Sequence, residues 1–192
     1  GGAFFVVWDK TVSGIDTNTI QGLDVLDPKV RNLDQSRIGA ILGSDRAALK
    51  GGPPVMAMLM QNANSADVAP DTTAVRRGLA REDLFLAVHE QFLTPTAQLA
   101  DIVLPATTFL EHDDLYVSYG HTHLALGLKV IEPIGEARSN HDVVCALAAR
   151  LGAKHRGFDM TARELIDEAM RPLGGLAQIA PTGFLDRAEP FD

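Results

Sequence analysis

A chain of 192 residues, 46% hydrophobic and 22% charged, has the size and composition of one globular domain, with or without an irregular arm. Lys and Arg number 17 against 25 Asp and Glu, and the formal charge of −8 argues against a nucleic-acid partner, which demands a basic face. The single cysteine, Cys145, excludes a disulfide framework or Cys-rich cluster within the chain, and no apolar run reaches the length of a membrane span.

The first residues, GGAFFVVW, carry no basic region and no small-residue cleavage site, so they do not read as a signal peptide. They begin without Met on an apolar run, which reads as a cut through a longer protein. Residues 1–50 are irregular, with turn signals at Ser13-Gly14, Gly22, Asp27-Pro28 and, just beyond, Gly51-Gly52; RIGAILGSDRAAL is a candidate short helix. PPVMAMLM follows, a continuous apolar run bounded by Pro-Pro and by QNANSAD. Such a run suits a strand buried on both faces. PDTTAVRRGLA reads as a helix opened by Pro70 and Asp71, LFLAVHE as a second strand and ADIVLPA as a third.

Farther on, SNHDVVCALAARLG is a helix capped by Ser139 or Asn140, with Val143, Leu147 and Leu151 along one face and Gly152 at its end. TARELIDEAM is another, with Thr161 and Glu164 at capping-box spacing. The tail PTGFLDRAEPFD is expected to be extended and loosely held. Strands are therefore expected near 55–60, 84–89 and 101–104, and helices near 70–80, 140–151 and 161–170. Strand, helix, strand, loop, strand is the signature of a parallel sheet. The expected class is α/β: a parallel-sheet, Rossmann-like nucleotide-binding domain with an irregular N-terminal arm. The expected division is 1–52 for the arm, 53–152 for the cofactor-binding core, and 153–192 for a C-terminal helix and extended tail.

Ligands of open parallel sheets sit at the carboxyl ends of the strands. Here those ends feed three polar loops, QNANSAD, HEQFLTPTAQ and PATTFLEHDD. On pattern alone, solvated loops are the simpler reading. Neither a GxGxxG nor a GxxxxGK motif is present, so no dinucleotide fingerprint or P-loop is claimed.

From about Pro53 to Gly152 the chain resembles the molybdopterin oxidoreductases of the dimethyl sulfoxide reductase family. The carriers are QNANSADVAPD, VHEQFLTPTAQLADIVLPATTFLEHDD and VIEPIGEARSNHDVVCALAARLG. The resemblance implies a piece of the third domain of such an enzyme, which grips the guanosine end of one molybdopterin guanine dinucleotide. The parent enzyme would hold molybdenum or tungsten between two such cofactors, and the fragment alone would bind none and be catalytically silent. It implies cofactor contacts from Asn62, Asn64, His89, Glu90, His112 and Asn140. Ser65 stands where the family usually reads Pro, Glu90 where it usually reads Asp, His112 where some members place Arg, and Asn140 where Asp is usual. Thr94, Thr96 and Asp101 match the family and could serve the fold, Thr96 by capping the turn before the third strand and Asp101 by accepting backbone amides.

The implied partners are the remaining domains of the same polypeptide, the cofactor and a redox protein, with no nucleic acid and no membrane insertion. The implied compartment is the cytoplasm, or the periplasm after export of the folded protein. A second function class is a structural relative that kept the fold and lost the metal, as in the large subunit of respiratory NADH dehydrogenases. A third is an independent nucleotide-binding regulatory domain. Among the remaining residues, His121 and His123 read as one face of an exposed strand. Glu111, Asp113 and Asp114 read as a solvated loop face, Phe4, Phe5 and Trp8 as packing residues, and Cys145 as a small hydrophobe within its helix.

Overall fold

The computed structural model of the chain describes residues 14–117 and 122–187. In chain order the elements are α1 (Asn18–Gln21), α2 (Ile38–Leu42), β1 (Ala57–Gln61), α3 (Ser65–Val68), α4 (Thr72–Leu79), β2 (Phe85–Glu90), β3 (Ile102–Pro105), β4 (Asp114–Val117), β5 (His123–Gly127), α5 (Asn140–Leu151), α6 (Ala162–Met170) and β6 (Phe184–Asp186). Phe4, Phe5, Trp8 and His121 lie outside the described residues.

The described chain forms two compact units. The sheet unit comprises Asp27–Thr107 and Ile134–Asn140. The other takes residues 14–26, 108–117, 122–133 and 141–187.

In the sheet unit β1, β2 and β3 form a parallel sheet in that order, with Ala57 opposite Phe85 and Ala87 opposite Ile102. The α/β class and the parallel pairing are as the sequence predicts. Asn62 ends β1 in the left-handed region at φ 49°, which Asn tolerates better than most residues, and its N–H donates to His89 O. Asp71 opens α4 by accepting from Ala74 N at 3.2 Å. Gly78 lets α2 and α4 approach closely, because a Cβ there would lie 2.4 Å from Leu42 Cβ. Side chains alternate across a strand, so Met58, Met60, Leu86 and Val88 share one face. They pack with Ile38, Leu42, Val75 and Leu79 from α2 and α4. The expectation that the PPVMAMLM strand is buried on both faces is not met: Leu59 is exposed, because both helices lie on the other side.

The second unit has its own core and an antiparallel sheet that the periodicity did not announce. Strands β4, β5 and β6 pair in that order, with Tyr116 opposite Ala125 and Leu124 opposite Leu185. The tail segment 184–186 is therefore held in a ladder, where the sequence predicts a loosely held tail. Thr161 and Glu164 close the expected capping box at the start of α6. The Thr161 N–H and hydroxyl donate to the Glu164 carboxyl, holding it below its ordinary pKa. Ile166 and Met170 pack with Leu124, Ile179 and, from the N-terminal arm, Ile15. In α5 the small Ala148 is the buried residue, while Leu147 and Leu151 of the expected apolar face are exposed. Gly152 ends that helix at φ 69°, and Ala153 N donates to Ala148 O.

Candidate functional site

The carboxyl ends of β1, β2 and β3 lie at one end of the parallel sheet. The segment 134–140 joins them there: Arg138 N donates to Pro105 O, and Thr107 N to Arg138 O. The fold thus gathers Gln61, Asn62, His89, Glu90, Thr107 and Arg138–Asn140 at the strand ends.

His89 is fully buried, and it holds this arrangement together. Its Nε2 lies 3.0 Å from Arg138 O, and its Nδ1 lies 3.2 Å from Gln61 Nε2. A carbonyl can only accept, so Nε2 carries the proton and Nδ1 accepts from the Gln61 amide. His89 is a strut between β1, β2 and the 134–140 segment, and both ring nitrogens are used in doing so.

Asn64 is similarly engaged. Its Oδ1 accepts from Thr96 Oγ1 at 2.9 Å and from Thr96 N at 3.3 Å, while its Nδ2 donates to Asp67 Oδ2 at 2.9 Å. Thr96 is fully buried and also accepts from Ala66 N at 2.9 Å. It therefore ties two strand-end loops together instead of capping a turn; Thr94 does the capping, accepting from Ala97 N at 3.2 Å. Asp101 accepts from Leu86 N at 2.7 Å, as expected of a carboxylate beside a strand amide.

The other candidates keep more of their capacity. Glu90 is half-buried at the last position of β2, and its Oε1 accepts from Gln91 N at 2.8 Å. Its Oε2 has no protein partner among the described residues. Asn62 donates to Asn140 Oδ1 at 3.4 Å, and both residues are exposed. Gln61, Thr107 and Arg138 are strand-end residues that sequence reasoning did not single out. For Gln61 an apolar strand ending on an amide was the available signal; for Arg138 there was none, because its partners lie far away in the chain.

His112 belongs to the other unit, where its Nε2 lies 3.8 Å from Asp114 Oδ2. The acidic stretch around it is not the solvated face expected. Glu111 is buried and accepts from Thr108 N at 2.7 Å and Thr108 Oγ1 at 2.8 Å, and Asp113 accepts from Lys129 N at 2.7 Å. These carboxylates secure the turn into β4. Among the described residues no group of three His, Cys, Asp or Glu side chains is placed to hold a metal ion. Cys145 lies half-buried, with Sγ 3.6 Å from His141 Nε2, and burial together with Asp142 and Asp159 pushes its thiol pKa up. That direction disfavours the thiolate that metal binding or nucleophilic chemistry requires.

A parallel α/β sheet with polar side chains gathered at its strand ends defines a Rossmann-like unit. The chain belongs to the molybdopterin oxidoreductase family, whose sequence pattern matches residues 20–150. A probable oxidoreductase of Bacillus subtilis, YoaE, is 39% identical over 165 residues, covering 84% of this chain and 23% of that protein. The dimethyl sulfoxide/trimethylamine N-oxide reductase of Rhodobacter capsulatus is 48% identical over 67 residues, 34% of this chain and 8% of the reductase. Among solved structures, acetylene hydratase from Pelobacter acetylenicus superposes with a TM-score of 0.62 at 27% identity, over 79% of this chain and 21% of the hydratase. The chain thus spans at most about a quarter of the length of these relatives. The family's cofactor is a molybdopterin carrying molybdenum or tungsten.

Proposed function

We propose that this chain is the part of a molybdenum or tungsten oxidoreductase that binds the guanosine end of a molybdopterin guanine dinucleotide, and that it is inactive by itself. The single observation that carries the reading is the set of groups with open hydrogen-bonding capacity at the strand ends: the Glu90 oxygen without a partner among the described residues, and the exposed amides of Asn62 and Asn140. This donor and acceptor set fits the nucleoside end of the cofactor. A carboxylate oxygen accepts from the ring N–H or exocyclic amine of guanine, a pair of adjacent donors that adenine does not offer. Glu90 sits on a strand, so its carboxylate is held on a rigid element.

The two amides can serve the ribose and phosphate oxygens, and the exposed Arg138 supplies a cation for the diphosphate. Asn64 and His89 act differently from Glu90. Both ring nitrogens of His89 and the Asn64 carbonyl oxygen are engaged within the protein, so these residues chiefly shape the strand-end loops, and Asn64 keeps one amide hydrogen. The bound cofactor would supply redox chemistry at its metal, while this chain's residues would anchor the other end of the molecule.

Calorimetry tests the reading. The isolated chain should bind GMP or GDP weakly and prefer them to AMP, and Glu90→Ala should abolish the preference. In the longer enzyme the same substitution should cost roughly 1.5–3 kcal/mol of cofactor affinity, read as lost molybdenum and nucleotide content on dilution. Glu90→Asp should be much milder. Equal binding of GMP and AMP, or full cofactor retention by Glu90→Ala, would remove Glu90 from base recognition. A longer polypeptide that purifies with neither metal nor nucleotide would favour the metal-free structural relative instead.

A further inference from the structure

His89 is a fully buried titratable side chain whose two ring nitrogens do different things. Nε2 donates to Arg138 O at 3.0 Å, and Nδ1 accepts from Gln61 Nε2 at 3.2 Å. Gln61 stands opposite His89 in the ladder, as the last residue of β1. Because its amide nitrogen is turned to the ring, its oxygen is turned away. Among the described residues Gln61 Oε1 has no hydrogen-bond partner, and no buried side-chain nitrogen or oxygen lacks one, so Oε1 reaches solvent. The neutral ring thus makes Gln61 show an acceptor at the strand ends.

A second proton on the ring reverses this. It goes to Nδ1, which becomes a donor facing a donor. Half a turn of the Gln61 amide removes the conflict: Oε1 accepts from Nδ1, and the NH2 group faces outward. Among the described residues no ion pair fixes the ring in either state. Leu104 of β3 lies opposite it, the turn 97–99 packed on β2 carries no charge, and Asp101 is engaged with Leu86 N. Glu90 points to the other face by alternation, and the Glu136 and Arg138 side chains are exposed.

We propose that His89 is a proton-sensitive positioning residue: neutral, it turns the Gln61 oxygen outward; charged, it turns the Gln61 NH2 outward to meet a phosphate oxygen of the nucleotide. The phosphate contact rests on the reading that the strand ends bind the guanosine end of the cofactor; the turning of the amide does not. Gln61 adjoins Asn62, whose amide meets Asn140, and it shares His89 with Arg138, so its outward end lies among the groups assigned to ribose and diphosphate. An outward oxygen repels a phosphate and an outward NH2 attracts it, so proton uptake and phosphate binding favour one another.

Nitrogen NMR of the ligand-free 192-residue chain tests the turning of the amide. Between about pH 8 and 5, where histidine ordinarily changes charge, the His89 ring should take its second proton and the Gln61 NH2 signals should move in step. A ring that stays neutral, or Gln61 signals that ignore its titration, would overturn the proposal. Calorimetry with GDP and guanosine tests the phosphate contact. The preference for GDP should rise about two- to tenfold from pH 8 to 5.5 in the wild type beyond any rise in His89→Gln, which keeps one acceptor and one donor but takes up no proton. Gln61→Met, which removes the turning amide, should lose the same step and serves where His89→Gln does not fold. Equal pH dependence in wild type and variants would overturn the phosphate contact. Failure of every nucleotide to bind would sink the reading of the strand ends and the phosphate contact with it, while the NMR titration still decides the turning of the amide.

Discussion

At the scale of single residues, the strand-end loops divide into side chains that hold the loops and side chains that remain available. Asn64 and Thr96 belong to the first kind. Thr96 is fully buried, and among the described residues its hydroxyl pairs with Asn64 Oδ1 and Ala66 N alone. Removing the Asn64 amide leaves a buried hydroxyl and a backbone N–H short of an acceptor. Asn64→Ala should therefore destabilise the chain by about 1–3 kcal/mol in urea denaturation. Thr96→Val should cost a similar amount, because it strands Ala66 N and leaves Asn64 Oδ1 only the longer bond from Thr96 N. The two losses should not add: in one shared network the double variant should fall short of the sum by at least about 0.5 kcal/mol. Additive losses would mean that the two side chains act independently. Their match to the family's motif, taken alone, would have made Asn64 a ligand contact. The distances show a residue whose carbonyl oxygen and one amide hydrogen already hold the loops.

At the scale of elements, the sequence was most legible where one local rule decides the outcome. Pro53-Pro54, the apolar run and Asn62 bracket β1; Asp71 starts α4; Thr161 and Glu164 start α6. The antiparallel sheet was not legible. Its strands are only three to five residues long, and β6 lies 57 residues beyond the end of β5, so no local period marks the pairing. The candidate site shows the same limit. Glu90 could be placed at a strand end from the pattern, whereas the His89 contact to Arg138 joins residues 49 apart. Helix packing was also hidden, because it depends on Gly78. An added methyl would lie 2.4 Å from Leu42 Cβ, and a Cβ cannot rotate away. Alanine raises helix propensity by about 1 kcal/mol over glycine, but overpacking a rigid contact typically costs about 1–3 kcal/mol, so the clash should win. Gly78→Ala should lower the urea midpoint; a raised midpoint would show that α2 and α4 can separate freely.

At the scale of the whole molecule, one ion-pair network unites parts of the second unit that are far apart in the chain. Glu168 of α6 is almost fully buried and accepts from Arg156 and from the Thr19 hydroxyl of α1, and Arg156 also donates to Thr19. Arg171 lies 3.5 Å from the same carboxylate. The N-terminal arm is thereby tied to residues 137 and 149 positions later. These contacts, the Arg156 hydrogen bond foremost and then that of Thr19, pull the Glu168 pKa down from 4.5 to about 2. The sign of the linkage follows. The unfolded chain binds the proton more readily than the folded one, so the network's contribution is fully present above about pH 5. It fades as pH falls from there towards 2, when the folded carboxylate is also protonated. Thermal denaturation of the wild type and Glu168→Gln across pH 2–7 would measure it. The wild type should be the more stable at neutral pH, because Gln leaves Arg156 facing a neutral amide. The gap between the two should narrow through pH 5 to 2 as the wild-type carboxylate loses its charge. A gap that stays constant across this range would show that Glu168 contributes through its shape and hydrogen bonds alone, and that its charge does not hold the arm in place.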